Sequence, residues 1–254
     1  MSSLKEKLET IYTNYNTLET TSDPLEIVRT LDNKREIEVF GFLATVFAYG
    51  SVKQINSSLK KLLVSLEKSP YEFIKSNAKF NHITIKHRFF SEKDVQHLLI
   101  ILNKVLREYD SLYNLFISGY SDEQKNVKQS ISSFSNYFLS NYQRRFGDLS
   151  LGIKFMFPLP EKGSACKRMN LFLRWMIRKD NLDFGLWNTI PTNKLIIPVD
   201  THIAQISRKL KLTKRKNISW KMAEEITEML KKFDPYDPLR FDYALCHYNM
   251  QYKK

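Results

Sequence analysis

With 254 residues, the chain is long enough to bury a substantial core in one large domain or two small ones. A composition of 43% hydrophobic and 26% charged residues excludes disorder of the whole, and two cysteines, Cys166 and Cys246, exclude a disulfide framework and a four-cysteine iron–sulfur cluster. Forty Lys+Arg against 27 Asp+Glu give a formal charge of +13, a field that gathers polyanions and makes nucleic acid the first partner to consider. Solvated lysine-rich helix faces would produce the same excess.

The opening MSSLKEKLETIYTNY lacks the apolar core of a signal peptide, and no stretch reaches the roughly 18 apolar residues of a membrane span. A soluble protein of the reducing cytoplasm is expected. Seven glycines and eight prolines leave long segments with apolar residues at 3.6-residue spacing, which reads as all-α. Residues 35–49 are apolar on nearly every face and predict a helix buried in a bundle. The next segment is amphipathic, with Ile55, Leu59, Leu62, Leu63 and Leu66 on one side.

Ser69-Pro70-Tyr71-Glu72 predicts a capping box opening a short helix, and Ser91 and Asp94 open another through Leu98, Leu102 and Val105. A more polar helix is expected over 121–142, then an irregular connection over 143–166. Helical patterning resumes over 167–178, lapses over 179–198 and returns over 201–212. Two last helices are expected at 219–233, behind Ser219, and at 238–249, behind Asp237-Pro238.

Asp200 stands at the mouth of a helix after an apolar run and a proline, where a carboxylate serves as an N-cap. Held so, it can also stabilise positive charge developing on a sugar ring while the helix N-terminus faces phosphate. The segment Pro198-Val199-Asp200-Thr201-His202-Ile203, followed by Ile206, Arg208 and Leu210, resembles the signature of the helix-hairpin-helix DNA glycosylase superfamily, which includes endonuclease III. Lys167-Arg168-Met169-Asn170-Leu171-Phe172-Leu173 is similar to the family segment of a lysine, two variable residues, an asparagine and three apolar residues. Residues 37–56 are similar to the family's buried helix, polar turn and asparagine. The separation of the two motifs, 200 − 167 = 33 residues, is similar to that of the archaeal 8-oxoguanine glycosylases. The blocks CKRMNLFLRWM and FDPYDPLRFDYALCH also resemble an uncharacterised bacterial family.

The resemblance implies two helical subdomains with the active site in the cleft between them: a central bundle over 34–180 ending in the lysine-bearing helix, and a second subdomain of 1–33 and 181–254 carrying the aspartate. It implies base excision repair by a monomeric DNA glycosylase/AP lyase acting on double-stranded DNA with a damaged base such as 8-oxoguanine, associated with the nucleoid. Lys167 would attack the sugar C1′ with Asp200 assisting, and no cofactor, iron–sulfur cluster or metal is expected. A lysine attacks only when neutral. Asp242 and Arg174 match base-recognising positions of the archaeal enzymes. Trp187, Phe184 and Tyr49 are candidates to stack on an extruded base, with core packing as the alternative for each.

The family's hairpin carries several glycines before the lysine, whereas Pro160-Glu161-Lys162-Gly163-Ser164-Ala165-Cys166 keeps only Gly163. Phosphate contact would therefore fall to Lys162, Gly163, Ser164 and Arg168, with His202 near a backbone phosphate. His82, His87 and His97 show no metal-ligand spacing. Two other readings stay open: a monofunctional glycosylase in which Asp200 activates water, and a glycosylase-shaped DNA-binding protein without catalysis.

Overall fold

The structure is a computed structural model that describes residues 3–17, 23–76 and 79–251. The described residues are helical with no β-sheet, only two isolated bridges, His87 to Phe90 and Lys179 to Phe184. Among the described residues no helix is long and apolar enough to cross a membrane.

The chain divides into two compact units. One comprises Met1–Ser22, Asp122–Val127 and Pro160–Lys254, the other Asp23–Ser121 and Lys128–Leu159. This division differs from the boundary expected at 180. The helix bearing Lys167 belongs with Asp200, because ion pairs fasten that helix to the segment after it and to the last helix, and residues 23–33 belong to the other unit.

The second unit holds α2 (Leu25–Val28), α3 (Lys34–Phe47), α4 (Val52–Ser65), α5 (Pro70–Ser76), α6 (Glu92–Glu108), α7 (Leu112–Ile117), α8 (Lys128–Phe146) and α9 (Leu151–Met156). Helix α3 is the expected buried helix, with Val39, Phe40, Leu43 and Phe47 fully enclosed. Its two glutamates have a use that composition does not reveal. Glu36 accepts from the amides of Tyr71 (2.6 Å) and Glu72 (3.4 Å), so a carboxylate from α3, rather than Ser69, satisfies the first turn of α5. Glu38 is buried and accepts from Leu112 (2.9 Å) and Tyr113 (3.1 Å) at the start of α7, a helix the patterning did not indicate.

Ser91 and Asp94 form the expected capping box of α6. Asp94 also accepts from the Ser150 hydroxyl, and Ser150 caps α9 through Ile153 N–H (3.1 Å). The span read as irregular, 143–166, therefore contains the end of α8, the short α9 and a single 3₁₀ turn at Pro160–Lys162. The polar helix expected from 121 begins only at Lys128; residues 122–127 belong to the first unit, where Val127 N–H donates to Lys194 C=O (3.2 Å).

The first unit holds α1 (Leu4–Tyr15), α10 (Lys167–Ile177), α11 (Thr201–Lys209), α12 (Trp220–Lys231) and α13 (Asp242–Gln251). Helix α13 packs against α1 and α11, with Tyr15 edge-on to Tyr248 at 5.5 Å. The stretch between α10 and α11 is non-helical apart from a 3₁₀ turn at Thr192–Lys194, as the lapse in periodicity implied. Its end, Leu195 to Val199, is apolar and buried, and Ile197 N–H is satisfied by the Thr227 hydroxyl (3.0 Å).

Candidate active site

The hairpin before α10 turns at Gly163, whose φ of +86° is a left-handed conformation that favours glycine; a Cβ added there would meet nothing within 4 Å. Backbone geometry rather than crowding therefore requires the residue. Its N–H is spent on Pro160 C=O (3.0 Å), so the glycine amide is not free for phosphate. Cys166 also takes a left-handed conformation, with φ of 45°, and enters α10 without a side-chain cap. Ser164 Oγ accepts from Cys166 N–H (3.2 Å), and Asn170 Nδ2 donates to Ala165 C=O (3.0 Å). The asparagine three residues after the lysine thus clamps the hairpin exit from inside the helix. That clamp fixes where Lys167 leaves the backbone.

Lys167 is the first residue of α10 and half-buried, and its ammonium makes no hydrogen bond or ion pair with the described residues. Lys162 is exposed and Arg168 half-buried on the same hairpin.

Asp200 is the N-cap of α11. Its Oδ1 accepts from His202 N–H (2.9 Å) and Ile203 N–H (3.0 Å), while Oδ2 has no hydrogen-bond partner among the described residues. The capping role is real and occupies one oxygen. The cap holds the carboxylate at the helix mouth through that one oxygen. His202 is half-buried, with Nδ1 3.4 Å from Asn249 Nδ2, whose amide also donates to Gln205 Oε1 (3.2 Å).

Asp242 opens α13 and is 4% exposed. Burial raises its carboxyl above the usual carboxylate range; Arg174 opposes that rise, Asp200 adds to it and Lys167 opposes it. Lys167, Asp200 and Asp242 lie in the same unit, where α11 packs against α13 and the Arg174–Asp242 ion pair ties α10 to α13.

Arg174, expected in the base pocket, is instead a buried strut. Its Nη1 donates to Asp242 Oδ2 (2.5 Å), and its Nε and Nη2 lie 3.2 Å from Asp183 Oδ1. Asp183 Oδ2 accepts from Arg178 Nη1, and Arg178 grips Asp237 with Nε (2.8 Å) and Nη2 (2.9 Å) and Asp180 with Nη2 (3.1 Å). Two guanidiniums and four carboxylates thus join α10, the loop after it, and the entry to α13. Fork-shaped arginines suit such bidentate contacts better than lysines would. The patterning missed Arg178, Asp180, Asp183 and Asp237 as partners; the signal was two arginines four residues apart on a strongly apolar helix.

Trp187, a stacking candidate, is 2% exposed and packs edge-on to Phe172 at 5.2 Å, so core packing accounts for it. Phe184 is half-buried, and its N–H donates to Trp175 C=O (2.9 Å). Tyr49 belongs to the second unit, where it is 39% exposed beside Phe89 (55% exposed), with the Arg88 guanidinium 4.6 Å above its ring. Among the described residues no group of three His, Cys, Asp or Glu side chains could hold a metal.

No curated protein and no solved structure matches the chain. A family described as a protein of unknown function, DUF2400, matches residues 23–251, nearly the whole length, and the chain belongs to that family.

Proposed function

We propose that the protein is a DNA glycosylase with lyase activity, in which Lys167 is the nucleophile and Asp200 the assisting carboxylate. What supports this reading is Lys167 at the mouth of α10, its ammonium without a hydrogen bond or ion pair among the described residues, and Asp200 at the mouth of α11 with one carboxylate oxygen unused, in the unit that also buries Asp242.

In this reading the Lys167 amine, once it has given up its proton, attacks C1′ as the damaged base departs. Asp200 stabilises the positive character that develops on the sugar, and its unused oxygen serves as the acceptor for the amine proton. Ring opening gives a Schiff base, from which loss of the C2′ proton permits strand cleavage. Asp242, fixed through Oδ2 by Arg174, has a second oxygen without a hydrogen-bond partner among the described residues, suited to accept from the N–H groups of an extruded purine such as 8-oxoguanine. Lys162, Ser164 and Arg168 would hold the backbone.

The test is borohydride trapping on duplexes carrying 8-oxoguanine, uracil, thymine glycol or an alkylated purine. A covalent adduct that disappears in Lys167→Gln supports the reading, and undiminished trapping in that variant removes the lysine from the chemistry. Base release without an adduct would favour the monofunctional mechanism. Binding without release from any duplex would leave a DNA-binding protein.

A further inference from the structure

Between Asp200 and Glu224 the chain has no acidic residue, and residues 208–221 contain seven cations: Arg208, Lys209, Lys211, Lys214, Arg215, Lys216 and Lys221. The two arginines nearest the loop before α12 serve as its fasteners. Arg208 Nε donates to Ala204 C=O (2.9 Å) within α11, and its Nη1 reaches Lys216 C=O (3.3 Å). Arg215 Nε pairs with Glu225 Oε2 at 2.7 Å, while Glu225 Oε1 accepts from Lys214 N–H (3.1 Å) and the Thr213 hydroxyl accepts from Arg215 N–H (3.1 Å). Leu212 and Trp220, at its two ends, are each 1% exposed. The loop is therefore an ordered element anchored on both sides.

The lysines are left over. Lys214, Lys216 and Lys221 are exposed, and their ammonium groups make no ion pair or hydrogen bond with the described residues. Lys221 stands in the first turn of α12, where the helix dipole disfavours a cation, so helix stability does not account for it.

The loop also adjoins the hairpin. Trp220 N–H donates to Gly163 C=O (3.0 Å), which joins the end of the loop to the one glycine the hairpin retains. With the Gly163 amide engaged internally, the hairpin itself offers phosphate little beyond Lys162, Ser164 and Arg168.

We propose that the loop at 213–219, with Lys221, is a second phosphate-gripping element that extends the hairpin's contact along the backbone of duplex DNA. The proposal rests on the reading of the protein as one that acts on DNA and does not depend on the chemistry at Lys167. A loop whose backbone is already anchored loses little backbone freedom when phosphate arrives, and each phosphate its lysines neutralise releases counterions.

The test measures binding of the full chain to an undamaged duplex by fluorescence anisotropy across a salt series. It compares the wild type, the triple variant Lys214→Gln/Lys216→Gln/Lys221→Gln, and a control of equal net charge, Lys60→Gln/Lys61→Gln/Lys93→Gln, whose exposed lysines lie on α4 and α6. The loop variant should flatten the log–log salt slope by about 3, roughly one for each phosphate no longer neutralised, and weaken binding about tenfold or more at low salt, with the control near wild type. Equal slopes for the loop variant and the control would overturn the proposal, since general charge would then explain both. A wild type whose binding is absent or independent of salt would instead overturn the DNA reading beneath it. Trapping at Lys167, run on the same preparations, reports the catalytic reading separately.

Discussion

The two units both bury carboxylates, but they use them differently. In the second unit the buried Glu38 and Asp94 and the half-buried Glu36 accept from amides or a hydroxyl at the starts of helices, so each negative charge is absorbed by a structural need. In the first unit Asp183 and Asp242 face Arg174 and Arg178, and no helix end needs those ion pairs. A buried ion pair is seldom the most stable filling for its volume. Charge kept there beyond what capping demands sets the first unit, which holds the proposed site, apart from the second, where these three carboxylates are spent on helix starts and the residues beside them.

Breaking the first unit's network should have the largest effect on stability. Arg174→Met leaves Asp183 and Asp242 buried with one guanidinium fewer, and should cost about 3–5 kcal/mol. All three tryptophans, Trp175, Trp187 and Trp220, lie in the first unit, so their fluorescence during urea unfolding follows it directly. A loss below about 1 kcal/mol would show that the pair is easily replaced and contradict the contrast drawn between the units.

Glu38→Ala is the counterpart in the second unit. It removes the acceptor for the Leu112 and Tyr113 amides at a buried helix start and should cost about 1–3 kcal/mol, read by circular dichroism in urea. Gly152→Ala should cost a comparable 1–3 kcal/mol or so, because the new Cβ would collide with Asp94 Oδ2, part of the carboxylate that ties two caps together. A neutral Gly152→Ala would mean that the Ser91–Asp94–Ser150 cluster can shift without penalty.

Asp200→Asn separates structure from chemistry at a single side chain. Asparagine caps helices about as well as aspartate, so unfolding should change by less than about 0.5 kcal/mol while base release falls by a hundredfold or so. Undiminished release with unchanged stability would make Asp200 a cap and nothing more.

The smallest effect is an absence of reaction. Burial pushes the Cys166 thiol up to about 12, so an alkylating reagent at neutral pH should leave Cys166 untouched in the native protein and modify it only in urea. Native labelling would show that the hairpin exit opens far more readily than the Asn170 clamp implies.

The sequence alone determined the helical class, through 3.6-residue periodicity and scarce glycine and proline, and it determined most helix starts where the cap is local, as at Ser91, Asp200 and Ser219. A residue that bonds to an amide two or three positions on is legible because its partner stands beside it in the chain. The start of α7 was only half legible: Ser111 is a local cap that accepts from Asn114 N–H (3.0 Å), but the six-residue helix is too short to show a periodicity, and its first two amides are taken by Glu38 from 74 residues away. Lys167 and Asp200 could be singled out because motif spacing is a property of the chain. What occupied Arg174 could not, since its partners Asp183 and Asp242 are 9 and 68 residues distant and only folding shows that every guanidinium nitrogen is engaged. Trp187 illustrates the same limit, since an aromatic that can stack on a base and one that fills a core have the same composition. Burial, which depends on everything packed around the ring, decided between them.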